Sequence, residues 1–380
     1  MKSKYILYLF LFTILLPKLS LAKYQPNFFP AKVGIDANVQ MGRIFRHTTN
    51  FQPTINGPSY ALELNAFKQT DGSKAWQRKL HYPEIGGGVF AVFHHNSDTM
   101  GNAYAAFVYW KYPIVRSKIV DFNIKMGIGA AYATKKYDEK ENSYNNVLGS
   151  KLNAFVELRF GLEWKIASQV KLITAFTYSH YSDGAVKLPN LGINTPTGTL
   201  GIIYYPKKEP IAINRDSIPS PQYKNEFLAQ TTFGMLDVTK FTPDKSWLMQ
   251  ATTFGYSRYI NITNKISAGT TLEFNFGWPH LYVNQDKVAS KKIKKASTEW
   301  SVFVGDEILI GKFGFYYQLG AYLYHTYRMP APLYFRLGAH VYVGALGKKQ
   351  KGSLFFPAGL KAHGGTAQLV EGGVGGLIKF

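Results

Sequence analysis

Apolar and polar positions alternate with a two-residue period through most of the chain. From Val33 to Phe45, the residues Val33, Ile35, Ala37, Val39, Met41 and Phe45 share one parity, and Asp36, Asn38 and Gln40 take the other. Arg43 is the one charge on the apolar side. Successive side chains of a strand point to opposite faces, so the segment reads as a strand with one greasy and one polar face. Phe313 to Leu323 repeats the pattern, with Phe313, Phe315, Tyr317, Leu319, Ala321 and Leu323 set against Gly314, Gln318 and Gly320. A soluble sandwich also alternates, but these segments run for roughly ten residues or more, near the ~9 to 11 that a tilted strand needs to cross a bilayer. Aromatic residues crowd their ends, as an interfacial girdle would.

The pattern predicts strands over 32–46, 57–69, 85–95, 102–112, 119–133, 151–164, 169–182 and 196–205. A segment rich in Pro and charge follows Pro206, and a second series occupies 226–237, 246–260, 264–277, 298–309, 312–325, 333–345, 352–362 and 367–380. With the N-terminus on the periplasmic side, the long connections 134–150, 183–195 and 278–297 emerge outside, and the short turns 113–118, 165–168 and 346–351 lie inside. Long outer loops and short inner turns are the outer-membrane barrel pattern. Two long connections, 70–84 and 206–225, run against it. The last strand puts Val370, Val374, Ile378 and the terminal Phe380 on one parity.

Composition supports an exported protein. The chain has 380 residues, 44 Lys and Arg against 23 Asp and Glu, and no Cys. The lack of Cys removes a disulfide scaffold, a thiolate metal site and a cysteine nucleophile together. Lys2 and Lys4, the apolar run Tyr5 to Leu16, and Leu19-Ser20-Leu21-Ala22 have the form of a secretory signal peptide over 1–22. Removing its three lysines lowers the formal charge from +21 to +18. Such an excess draws polyanions, here an anionic or phosphorylated lipid surface, and nothing in the chain points to nucleic acid.

Candidate chemistry concentrates on the seventh predicted strand. Its even positions are Val170, Leu172, Thr174, Phe176 and Tyr178, followed on the same face by His180 and Ser182. Residues two apart on a strand share a face with Cα atoms ~6.5 to 7 Å apart, so the imidazole can lean toward the hydroxyl. Ser beside His is the minimum nucleophile and base pair. If the even face looks at lipid, the pair lies on the lipid side near the outer rim.

The run His180 to Asn194, HYSDGAVKLPNLGIN, resembles the motif of the lipid A 3-O-deacylases of the PagL type. That motif is His-x-Ser-Asn, then Pro-Asn-x-Gly and a Glu two residues on. His180, Ser182, Pro189, Asn190 and Gly192 match in register, whereas Asp183 replaces Asn and Asn194 stands where the acidic residue belongs. The resemblance implies an esterase that removes an acyl chain from lipid A in the outer leaflet of the outer membrane, with no metal or cofactor. It implies Ser182 as nucleophile, His180 as base, Asn194 in the orienting position, and Asn190 with the backbone amide of Gly184 at the oxyanion. With Asn in the acid's place, the expected enzyme is slow, and Asn194→Glu should accelerate it at least about tenfold. The C-terminal half, including Leu309 to Tyr324 and the closing GLKAHGGTAQLVEGGVG, resembles the longer acyloxyacyl hydrolase-like members.

Three further groups carry weaker signals. His94, His95 and Asp98 lie together in sequence, but adjacent residues of a strand face opposite ways, which favours a plain outer loop. The lysines at 287, 291, 292, 294 and 295 form a basic outer loop suited to phosphates or only to water. His363 has no serine two residues on.

The expected architecture is all-β: an antiparallel transmembrane barrel of about 14 to 16 strands in one ring, with a signal peptide over 1–22, a deacylase-like region over 23–205, a proline-rich linker over 206–224 and further strands over 225–380. An eight-stranded barrel plus a second β unit is the alternative. A catalytically silent pore or structural barrel is the rival function, since a ring of about sixteen strands encloses a channel.

Overall fold

The computed structural model describes residues 32–207, 212–237, 246–277, 297–325, 332–346, 351–363 and 366–380. The signal peptide at 1–22 and the basic loop at 287–295 lie outside them. The strands of the first series are β1 (Val33–Gly42), β2 (Ser59–Gln69), β3 (Glu84–Phe93), β4 (Asn102–Arg116), β5 (Val120–Ala133), β6 (Leu152–Ala167), β7 (Val170–Ser182) and β8 (Ile193–Tyr204). The second series is β9 (Asn225–Leu236), β10 (Trp247–Asn261), β11 (Asn264–Asn275), β12 (Thr298–Ile310), β13 (Phe313–Tyr324), β14 (Leu333–Leu346), β15 (Gly352–His363) and β16 (Thr366–Lys379).

These strands do not share one ring. β1 pairs with β8 from Ile35↔Tyr204 to Gly42↔Thr197, and β16 pairs with β9 from Val370↔Met235 to Lys379↔Glu226, so two closed eight-stranded barrels form. This corrects the expected ring of 14 to 16 strands. A single ring is the expectation if a lone first barrel leaves the second series with an unpaired edge. That edge does not exist. In an up-and-down series with an even number of strands, the first and last run antiparallel and pair with each other, which satisfies every edge group without the other series. At the end of the chain, the backbone of Phe380 exchanges hydrogen bonds of 2.9 and 3.1 Å with Asn225, and its ring stacks on Phe227 with centroids 5.1 Å apart.

Both barrels are polar inside and apolar outside. On β1, Val33, Ile35, Val39 and Met41 are exposed on the outer wall, and Asp36, Asn38 and Gln40 are buried within. Charges placed inside a narrow barrel need partners. Glu63 meets Lys125 at 2.6 Å and also pairs with Arg159; Glu163 meets Lys171 at 3.0 Å and also pairs with Lys111. The second barrel uses the same solution with other residues: Lys265 pairs with Glu226 and lies 3.2 Å from Glu307, and Arg336 lies 2.5 Å from Glu273 and 2.7 Å from Glu371. Eight strands leave an interior just wide enough for such side chains. The channel argument for a pore rested on the single ring and falls with it.

The two long connections that ran against the loop pattern meet one another. Residues 70–83 hold a short helix, α1 (Ala75–Lys79), and fold against the segment after β8. The amide of Asn214 donates to the carbonyl of Asp71 at 2.9 Å, Tyr82 donates to the carbonyl of Asn214 at 3.1 Å, and Arg78 donates to the carbonyl of Ser217 at 3.0 Å. The compact unit that holds the first barrel accordingly ends at Ile218 and leaves out residues 184–188. A chain ending at Ile218 should insert and fold alone, running as a heat-modifiable band on gels; a product that stays aggregated or fully denatured without boiling would show that its closure needs the second series.

Candidate active site

β7 and β8 form a hairpin whose register sets His180 opposite Asn194 and Tyr178 opposite Pro196. On β7, Leu172 and Phe176 are exposed on the outer wall, and Lys171, Thr177, Ser179 and Tyr181 are buried inside. His180 and Ser182 therefore start on the outer, lipid-facing side, as the even parity requires.

The three motif residues form a continuous relay. His180 Nε2 lies 3.0 Å from Ser182 Oγ, and His180 Nδ1 lies 2.7 Å from Asn194 Oδ1. Both ring nitrogens are thereby engaged, and neither contact goes to Asp183. Two residues that sequence reasoning left unassigned complete the surroundings of Asn194. Tyr178 donates its hydroxyl to Asn194 Oδ1 at 2.7 Å, and Asn194 Nδ2 lies 2.8 Å from His47 Nδ1. Tyr178 was detectable as the next even position below His180. His47 had no local signal; it arrives because the end of β1 keeps pairing with β8, Phe45 donating its backbone N–H to the Asn194 carbonyl at 2.9 Å.

The loop between β7 and β8 leaves just past Ser182 and returns beside the pair at Gly192, where a Cβ would meet His180 and Ser182. Gly184 and Ala185 both have positive φ, +64° and +71°, and turn the chain sharply just past Ser182. Gly192 also has positive φ, +75°, and its amide donates to the carbonyl of Val147 at 2.8 Å. Val147 and Leu148, in the connection between β5 and β6, are fully buried. Asn190 stands in this loop with both atoms of its side-chain amide buried and without a hydrogen-bond partner. A groove of about 820 Å³ opens between β1, β7 and β8, with Met41, Thr174 and Leu200 on its walls and Arg43 among its lining residues.

Two further candidate histidines lie inside the barrels. His94 is buried inside the first barrel, with Nδ1 2.8 Å from Ser59 Oγ and Nε2 2.7 Å from Tyr181. His363 stacks on Tyr322 within the second barrel, and its Nε2 lies 2.9 Å from that hydroxyl. No cluster of metal-ligating side chains occurs among the described residues, and no helix among them is long and apolar enough to cross a membrane.

An apolar outer wall around a charged interior defines membrane-spanning β-barrels of the outer membrane. Two family models match the chain: "Lipid A 3-O-deacylase (PagL)" over residues 61–202 and "Acyloxyacyl hydrolase, C-terminal domain" over residues 226–380. The chain belongs to this outer-membrane deacylase family, each of its two barrels being matched by one of the two models. Curated proteins give no match. Among solved structures, the outer membrane enzyme PagL is similar at 18% identity over 45% of this chain and 99% of that one, with a TM-score of 0.32. Neisserial surface protein A aligns at 8% identity over 46% and 97% of the respective chains, also at 0.32. A mutant Rh. blastica porin aligns at 10% identity over 92% of this chain and 100% of that one, at 0.19.

Proposed function

We propose that the protein removes an ester-linked acyl chain from lipid A by a serine mechanism, working from within the outer leaflet. The observation that carries this reading is the relay Ser182–His180–Asn194, with contacts of 3.0 and 2.7 Å, in which His180 and Ser182 take the outward parity of β7 and Ser182 and Asn194 are buried. The groove on β1, β7 and β8, closed on one side by residues 56–58 and lined by none of the three relay residues, suits an acyl chain, and Arg43 at its edge supplies a cation for a phosphorylated headgroup.

Ser182 Oγ attacks the ester carbonyl while its proton passes to His180 Nε2. The proton on His180 Nδ1 stays hydrogen-bonded to Asn194 Oδ1, which keeps the ring in the tautomer that leaves Nε2 free to accept. The tetrahedral oxyanion takes hydrogen bonds from Asn190 Nδ2, whose amide is otherwise unpartnered, and from the Gly184 amide. Each such donor is worth roughly 2.7 to 4 kcal/mol in hydrolases. As the intermediate collapses, His180 returns the proton to the departing alkoxide, and water, activated by the same imidazole, then releases the acyl group from Ser182. Mass spectrometry of lipid A from cells with and without the protein tests the reading directly. A mass loss equal to one fatty acyl chain is expected, and unchanged lipid A in a strain where the barrel is folded and present would overturn it.

Asn194 orients the imidazole without neutralising the imidazolium that forms. A carboxylate there would do both. The amide oxygen already sits 2.7 Å from Nδ1, so the replacement of matching reach is Asp, and Glu must retract by one carbon. Asn194→Asp should therefore raise the turnover rate at least about tenfold, equivalent to roughly 1.4 kcal/mol of barrier. Side-by-side rates for wild type, Asn194→Asp and Asn194→Glu on one lipopolysaccharide decide the matter; a rate that falls in both variants means the amide is needed as an amide.

A further inference from the structure

An amide in the orienting position has two ends, and only one supports catalysis. With the oxygen of Asn194 toward His180 Nδ1, that nitrogen carries the proton and Nε2 accepts from Ser182. With the NH2 group toward it, Nδ1 must accept, the proton moves to Nε2, and the ring can no longer take the serine proton. Tyr178 does not choose between these states, because a phenol hydroxyl donates to the oxygen and accepts from the NH2 group equally well. A carboxylate has no such ambiguity.

The remaining contact of Asn194 makes the choice. Its Nδ2 lies 2.8 Å from His47 Nδ1, so the productive orientation requires His47 to present a lone pair at Nδ1 and carry its proton on Nε2. We infer that His47 is a positioning residue which, by accepting from the Asn194 amide, sets the tautomer of His180. The three groups form a chain with two hydrogen-bond polarities. An acceptor at position 47 selects the active polarity, and a donor there selects the silent one. His47 is exposed at the outer rim, and the backbone hydrogen bond from Phe45 to the Asn194 carbonyl, 2.9 Å long, fixes its place beside the relay. The inference rests on the Ser182–His180 mechanism proposed above.

The test exchanges acceptor for donor. His47→Asp puts an acceptor at the δ position, and His47→Lys offers only a donor. Purified, heat-modifiable full-length variants would be compared on lipopolysaccharide in detergent, first with Asn194 and then in an Asn194→Asp background. The kcat ratio of His47→Asp to His47→Lys should be at least about tenfold with Asn194. With Asn194→Asp it should shrink at least about fivefold, because a carboxylate has no wrong orientation. A plain charge effect on the imidazolium would persist in both backgrounds, so a ratio that fails to shrink overturns the inference. Nitrogen NMR shifts of His180 give a readout that needs no turnover: Nδ1 protonated in the wild type and His47→Asp, Nε2 protonated in His47→Lys. One tautomer in all three also overturns it. If instead Ser182→Ala keeps full activity, the serine mechanism itself is wrong, which separates the two failures.

Discussion

Ser182→Ala and His180→Ala should each lower the deacylation rate by at least about 10⁴-fold, with the double variant no worse than either single one. A nucleophile and its base act as one unit, so in the proposed mechanism removing either removes nearly all of what the unit contributes. The residual rate is what the oxyanion donors and lipid binding supply alone. The barrel should survive both changes. The Ser182–His180 contact is a single hydrogen bond, worth about 1 kcal/mol to stability, whereas β7 is held along its whole length by ladders to β6 and β8. Rates on purified lipopolysaccharide, followed by mass spectrometry and paired with a heat-modifiability gel for each variant, check both halves of the claim. A variant that keeps more than about a tenth of wild-type activity would exclude Ser182 as nucleophile or His180 as base.

Much of the fold was legible because lipid and a narrow polar interior impose opposite demands on alternate residues. Val33, Ile35 and Val39 against Asp36, Asn38 and Gln40 state the strand, its two faces and its span together. What the alternation cannot state is which strand closes on which. β1 pairing with β8 or with β16 leaves every parity unchanged, and the choice lies in the return of β8 to β1. The segment 70–83 was opaque for another reason: α1 is five residues long, too short to express a helical period, and its fixing contacts come from Asn214 and Ser217, far along the chain. The candidate site divides the same way. The His180–Ser182 pair follows from two-residue spacing, and Asn194 from the motif, whose 14-residue separation the hairpin converts into a directly opposed pair. His47 stands 147 residues from Asn194 and reaches it only through ring closure, so no local pattern announces it. The chain's departure at Asn194 is what gives that distant residue something to decide.

Gly192→Ala is the second change with a large expected effect, because that position meets two constraints at once. Its φ of +75° lies in the left-handed region, where a Cβ costs roughly 1 to 2 kcal/mol. A Cβ built there falls 2.6 Å from His180 Cε1 and 3.1 Å from Ser182 Cβ, closer than carbon atoms approach without displacement. The loop cannot retreat easily, since the Gly192 amide is held by the buried Val147 at 2.8 Å. The imidazole must move instead, and a shift of the ring disturbs its contacts with Ser182 and Asn194, each made by one of its two nitrogens. A displacement near 1 Å at a reacting group costs on the order of 10²-fold in rate, so kcat should drop about that much while KM stays close to the wild-type value, the groove between β1, β7 and β8 being untouched. The expected cost in stability is small beside it, about 1 to 2 kcal/mol spread over a barrel whose ladders remain closed. A structure of the variant should show His180 shifted with Val147 in place. If kcat is unchanged, or if KM rises and kcat does not fall, Gly192 is a turn residue only and the close approach to the imidazole has no part in catalysis.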